Sequence, residues 1–324
     1  MSATSNALDP VLQSMVAAGA SQCPLQSLSP TAARAITAQR FAQSQLSAEV
    51  ACVQDHTVDT PSGALRVRLY HPDGVQAPAP CTLYHHGGGF VVMGVETHDG
   101  ICRQLCQLSG SVVVSVDYRL APETPFPGAA DDAYAALQWV AGNAESLGID
   151  RESIALAGDS AGGNLAAATA LRTRDEGGPA VCAQLLFYPV LDLRINPPWP
   201  SRSAFANGFG MTRDTLAWFA DCYLPDASLR QHPYASPLKA TTLERLPPAY
   251  ILTAGFDVLR DEAEAYAEQL RQVGVPVQLT RFSDLNHGFL HWADRVPSAL
   301  IALRNGGTWL KQTFASEESP CFNR

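Results

Sequence analysis

The apolar positions of this chain change period along its length. Leu8, Val11, Leu12, Met15 and Val16 recur at helical spacing. After the break at Ser29 and Pro30, TAARAITAQRFAQSQL keeps the same mode, so residues 7–46 read as helical. Alternation of period two takes over in VQDHTVDTPSGALRVRLYHP, which predicts two strands around a Pro-Ser-Gly turn. From residue 81 onward, short apolar runs alternate with amphipathic ones. CTLYHH, SVVVSVDY, SIALAG, AQLLFYPVLD, YILTAGFD and VPVQLTRF predict strands; the β-branched run in SVVVSVDY suits a strand buried on both faces. DDAYAALQWVAGNAESLG, GNLAAATALRTRDEGG, DEAEAYAEQLRQVG and PSALIALRNGGTWLKQTF predict helices, the second ending at Gly177 and Gly178. This alternation implies an α/β fold, a mostly parallel sheet with helices on both faces.

One segment breaks the rhythm. Residues 192–236 are rich in Pro, Gly and aromatics and lie between two core strands. They are too long for a plain loop and predict an inserted helical layer. The expected organisation is helices over 1–50, a core built from 51–191 and 237–324, and an insertion at 192–236. The N-terminal helices and the insertion together would roof the end of the sheet where its strands finish, which is where open α/β sheets bind ligands.

Composition narrows the partners. The 324 residues are 46% apolar and 16% charged, enough for a large core and too little charge for long disordered tails. A net charge of -9 argues against nucleic acid or anionic membrane as partner, since both demand basic patches. The eight cysteines form no C-x-x-C pair; Cys102 and Cys106 fall on one face of a helix. Most of them read as buried thiols of a reducing compartment, and zinc-ligand spacing is missing. The first residues carry no signal-peptide pattern, and no run approaches the ~20 apolar residues of a membrane helix. The expectation is a cytoplasmic protein without a metal.

The candidate chemistry begins at IALAGDSAGGNLAAA, residues 154–168. It places Ser160 at G-x-S-x-G spacing between a strand and a helix, the setting of a nucleophile elbow; the bland reading is a helix-capping serine. A serine nucleophile needs a base, and the base an orienting acid, in chain order Ser, Asp or Glu, His. Downstream lie His232, His287 and His291. His287, in SDLNHGF just after a strand, is the favoured base, because His232 falls in the insertion and His291 in or near a following helix. Asp257 ends the strand YILTAGFD and is the favoured acid, whereas Asp261 reads as a first-turn or capping carboxylate. HGGGF at 86–90 follows a strand and can turn backbone N–H groups toward a developing oxyanion. With the elbow it nominates the N–H groups of Gly88, Gly89 and Ala161 as donors. Neither a phosphate loop with its Lys-Ser/Thr pair nor a dinucleotide fingerprint is present.

HGGGF at 86–90, DYRLAPETPFP at 117–127, GDSAGGN at 158–164, DVLRDE at 257–262 and HGF at 287–289 together resemble the hormone-sensitive-lipase-like branch of the α/β-hydrolases, the bacterial family IV esterases. The resemblance covers roughly residues 50–315. It implies the α/β-hydrolase fold with a helical cap, hydrolysis of carboxylic esters of short acyl chain and no cofactor. It carries over Ser160, Asp257 and His287 as triad and Gly88, Gly89 and Ala161 as oxyanion donors. It also places Glu123 near the site, either in a supporting role or as a structural carboxylate bonded to backbone. Val258 stands where relatives often have Pro. A homodimer is compatible with the resemblance, since relatives are commonly dimers.

Phe90, Phe205, Phe209, Trp218, Phe289 and Leu290 are candidate walls of a hydrophobic pocket, or else pack the cap onto the core. A compact cap favours small ester substrates with acyl chains of about eight carbons or fewer. An amidase or acyltransferase would share the same acyl-enzyme. Plant gibberellin receptors, non-catalytic binders that resemble this family, lack the triad histidine that His287 supplies here.

Overall fold

The computed structural model describes residues 7–41 and 45–316. The part of the expected helical stretch at 42–44, and Cys321, lie outside the described residues. The strands are β1 (Cys52–Thr60), β2 (Gly63–His71), β3 (Ala79–His85), β4 (Val112–Asp117), β5 (Ile149–Asp159), β6 (Ala183–Phe187), β7 (Ala249–Phe256) and β8 (Val277–Asn286). The helices are α1 (Pro10–Gly19), α2 (Pro30–Phe41), α3 (Asp99–Ser109), α4 (Gly128–Gly142), α5 (Ala161–Glu176), α6 (Ser201–Ala204), α7 (Arg213–Tyr223), α8 (Arg260–Gln272) and α9 (Pro297–Ala315). One sheet forms in the order β1-β2-β4-β3-β5-β6-β7-β8. β2 is antiparallel to β1 and β4, and the remaining pairings are parallel.

Period-two strands explain why helices cover both faces. Leu83, Leu156, Leu186 and Ile251 point into a core with α4, α5 and α8. Their chain neighbours Tyr84, Ala155, Leu185 and Leu252 point into a second core with α3 and α9. Both sets are fully buried, so a polar residue on either face of these strands would face no water.

The N-terminal helices and the insertion meet. Asp9 caps α1, and Leu12 buries into the second core. Thr215 Oγ1 of α7 donates to Gln26 Oε1 at 2.8 Å. Leu216, Phe219 and Tyr223 of α7 are buried against the first core.

The structure differs from the sequence reading in several boundaries. Residues 45–50 have no regular structure, although the helical reading extends to residue 46. Strand β6 ends at Phe187, not at Asp192, because Tyr188 turns to φ 36° and Pro189 has no N–H for a ladder. Helix α4 begins at Gly128, ahead of DDAY. Phe289–Trp292, with His291, is a 3-10 turn, separate from α9.

Candidate active site

Parallel register delivers the candidate residues to one sheet edge. The last pairs of the ladders are His85 with Gly158, Asp159 with Phe187, and Phe256 with Asn286. Each candidate is the next residue along: the HGGGF loop after β3, Ser160 after β5, Asp257 after β7 and His287 after β8.

The elbow is built by close approach. Ser160 has φ 54° and ψ −116°, and its N–H donates to Phe187 O at 2.9 Å. A Cβ on Gly162 would lie 1.9 Å from His85 O, so only glycine lets α5 start this near β3. Ser160 is 7% exposed. Its Oγ lies 2.9 Å from His287 Nε2. His287 Nδ1 lies 2.8 Å from Asp257 Oδ2, and Asp257 Oδ1 accepts from Leu259 N at 2.9 Å. A carboxylate can only accept, so Nδ1 carries the ring proton and Nε2 presents a lone pair to the serine hydroxyl. Tyr188 packs its ring edge-on to His287 at 4.9 Å and limits its tilt. Asp261 stands apart: its Oδ2 accepts from Ser201 N at 2.7 Å, joining α8 to α6.

The glycine loop needs its glycines for conformation. Gly88 and Gly89 have φ of 109° and 60°, and the ring of Phe219 occupies the space beside Gly89. Their N–H groups meet no backbone acceptor among the described residues. Ala161 opens α5, so its N–H has no acceptor within the helix. His86 stacks on Tyr118 at 4.1 Å, and Tyr118 Oη donates to His86 O at 2.7 Å.

Beneath the elbow lies a cluster the sequence reading passed over. Asp159 Oδ1 accepts from Tyr84 Oη at 2.8 Å and Gly87 N at 2.9 Å, and faces His98 Nε2 at 3.1 Å. Burial works to raise its carboxyl, but His98, His291 and the Tyr84 hydroxyl overcome this and hold it well below the usual carboxylate range. His98, Asp159 and His291 bring metal-competent atoms within 4.8 Å of one another. Asp159 Oδ1 is already spent on protein donors, Oδ2 has a long contact with Tyr188 Oη at 3.4 Å, and His291 Nε2 meets no hydrogen-bond partner among the described residues. The only sequence signal was an acidic residue inside the elbow motif; nothing near His98 marks it.

The remaining candidates divide. Phe90 is buried and stacks on Tyr223 at 3.8 Å, while Phe289 and Leu290 are fully buried in the second core. Phe205 and Phe209 are half-buried, pack edge to face, and reach Phe256, the neighbour of Asp257. Trp218 is half-buried against Phe219, which itself was not foreseen. Glu123 pairs with Arg34 of α2 through both carboxylate oxygens, at 3.0 and 2.6 Å. Arg34 also donates to Val91 O and Ala121 O, so this carboxylate orients the arginine that pins α2 to the end of the glycine loop.

Among the described residues no helix is long and apolar enough to cross a membrane. A family model described as alpha/beta hydrolase fold matches residues 82–291. Esterase LipI of Mycobacterium tuberculosis is 44% identical over 257 residues, 78% of this chain and 80% of that protein. An ethyl acetate hydrolase of Pseudomonas putida is 37% identical over 254 residues, 76% of this chain and 79% of that protein. A hyperthermophilic esterase from the archaeon Pyrobaculum calidifontis superposes with a TM-score of 0.90 at 38% identity, covering 96% of this chain and 100% of the other. Sheet order, motif order and these likenesses agree, and the chain belongs to the alpha/beta hydrolases, in the hormone-sensitive-lipase-like branch.

Proposed function

We propose that the chain is a serine carboxylesterase in which Ser160 is the nucleophile, His287 the general base and Asp257 its orienting acid. The observation that carries the reading is the continuous row Ser160 Oγ, His287, Asp257 at 2.9 and 2.8 Å. Ser160 attacks the ester carbonyl as His287 takes its proton. The tetrahedral oxyanion is held by the N–H groups of Gly88, Gly89 and Ala161. His287 then protonates the leaving alcohol, leaving an acyl-enzyme that water, activated by the same imidazole, hydrolyses. Asp257 stabilises the imidazolium in both steps.

Short- to medium-chain esters are the proposed substrates. Support comes from the ring of Phe219, which packs on Gly89, and from the relative whose name specifies ethyl acetate. The N-terminal helices and residues 192–236 act as the cap, and the enzyme works in the cytoplasm as a homodimer. The free thiols among the described residues suit a reducing compartment, and sedimentation would read the assembly.

The test is release of p-nitrophenol from acetate, butyrate, octanoate and palmitate esters. Turnover of the short esters should fall on the order of 10⁴–10⁶-fold in Ser160→Ala. Ser160→Ala with wild-type turnover would sink the triad, and equal rates on palmitate and butyrate would sink the chain-length assignment. Faster turnover of a matched anilide than of the ester would make the enzyme an amidase.

A further inference from the structure

The spacing motif leaves the residue before the serine open, yet a carboxylate stands there, 2% exposed. Burying a charge is costly unless its lone pairs are filled. Asp159 fills them with groups from three separate segments: Tyr84 of β3, Gly87 of the glycine loop and His98 at the start of α3. Tyr188 Oη approaches its second oxygen at 3.4 Å.

The position of the Gly87 bond gives it leverage. The β3–β5 ladder ends at His85 and Gly158, so beyond that point the ladder no longer sets the spacing of the two loops. Asp159 is one residue before Ser160, and Gly87 one residue before Gly88. The carboxylate is packed so closely that a Cβ on Gly87 would come 2.4 Å from Asp159 Oδ2. His98 holds the far side of the carboxylate, and its Nδ1 meets Thr97 Oγ1 at 2.9 Å.

We infer that Asp159 is a positioning residue, which ties the oxyanion loop to the nucleophile elbow through Gly87 N–H and so sets the distance from Ser160 to the donors of Gly88 and Gly89. The inference rests on the proposed triad and oxyanion donors. Asp159 does not touch substrate; it acts through the loop. An oxyanion donor displaced by a fraction of an ångström loses most of its effect, while ground-state binding changes little.

The experiment measures kcat and KM for p-nitrophenyl butyrate per active site, with sites counted by stoichiometric reaction with a p-nitrophenyl phosphonate. Asp159→Ala should lower kcat per titrated site about 10²–10³-fold, the cost of losing an oxyanion donor, with KM within about threefold. Asp159→Asn keeps an acceptor for Gly87 N–H and should lose roughly three- to tenfold, a rescue expected of one weakened hydrogen bond. A residue that merely stabilises the fold would instead lower the titratable fraction and leave kcat per site unchanged, and that result overturns the inference. Should Asp159→Ala fail to fold, Asp159→Asn and Tyr84→Phe decide: unchanged kcat per site in both overturns it, and a drop in kcat at constant KM supports it. Ser160→Ala, run alongside, separates the two readings, because wild-type turnover there overturns the triad and this inference with it.

Discussion

Ser160 is held at φ 54°, a conformation that costs a non-glycine residue roughly 1–3 kcal/mol. The register of β5 against β3 and β6 enforces it, and the result is a hydroxyl lifted to meet His287. Asp257 likewise does more than sit near His287. By accepting from Nδ1 it keeps the ring proton off Nε2. Asp257→Asn would turn an amide N–H toward Nδ1 and favour the wrong tautomer. We expect kcat to fall on the order of 10⁴-fold near neutral pH with the melting temperature almost unchanged. A loss of less than tenfold would remove Asp257 from its role. These residues were legible in sequence because each follows a β-rich run that ends in a turn. Asp159 and His98 were not, since their pairing joins positions far apart in the chain.

Among the elements, α7 packs its buried face on the glycine loop. Leu216, Phe219 and Tyr223 form its buried face, and Phe219 lies directly on Gly89. Phe219→Ala should cost about 3 kcal/mol of stability and open the space over the glycine loop. The ratio of kcat/KM on octanoate to that on butyrate should rise; an unchanged ratio would show that this helix does not bound the substrate. The insertion was expected as a helical layer, and α6 and α7 lie within it. Which face of α7 would turn inward could not be read there, because Trp218 and Phe219 are adjacent and equally apolar.

The whole molecule carries a pH liability beneath the site. His85, His86 and His291 are buried, and Nε2 of each meets no partner among the described residues. Burial pushes them down from an ordinary 6.5 to about 4, about 3 and about 3. Their folded values lie below the unfolded one, so below pH 6.5 the unfolded chain binds more protons. The stability they contribute is full above pH 6.5 and is lost as pH falls toward 3–4. By pH 5 each removes up to ~2 kcal/mol. The melting temperature should therefore drop on the order of 10 °C between pH 7 and pH 5. A flat profile over that range would mean that these rings gain protons without strain in the folded state.

The alternation of strands and helices, the glycine turns and the order of Ser160, Asp257 and His287 can all be read along the chain. These are local properties: side-chain period, turn chemistry and a hydroxyl between glycines are written in neighbouring residues. Which groups complete them depends on how the chain folds. The end of β6 at Phe187, the anchoring of Arg34 on Val91 and Glu123, the ring of Phe219 on Gly89 and the carboxylate of Asp159 between Tyr84, Gly87 and His98 all depend on segments distant in sequence. Strand register and helix packing bring those segments together, and no local pattern of apolar and polar residues specifies which polar atoms will then face one another.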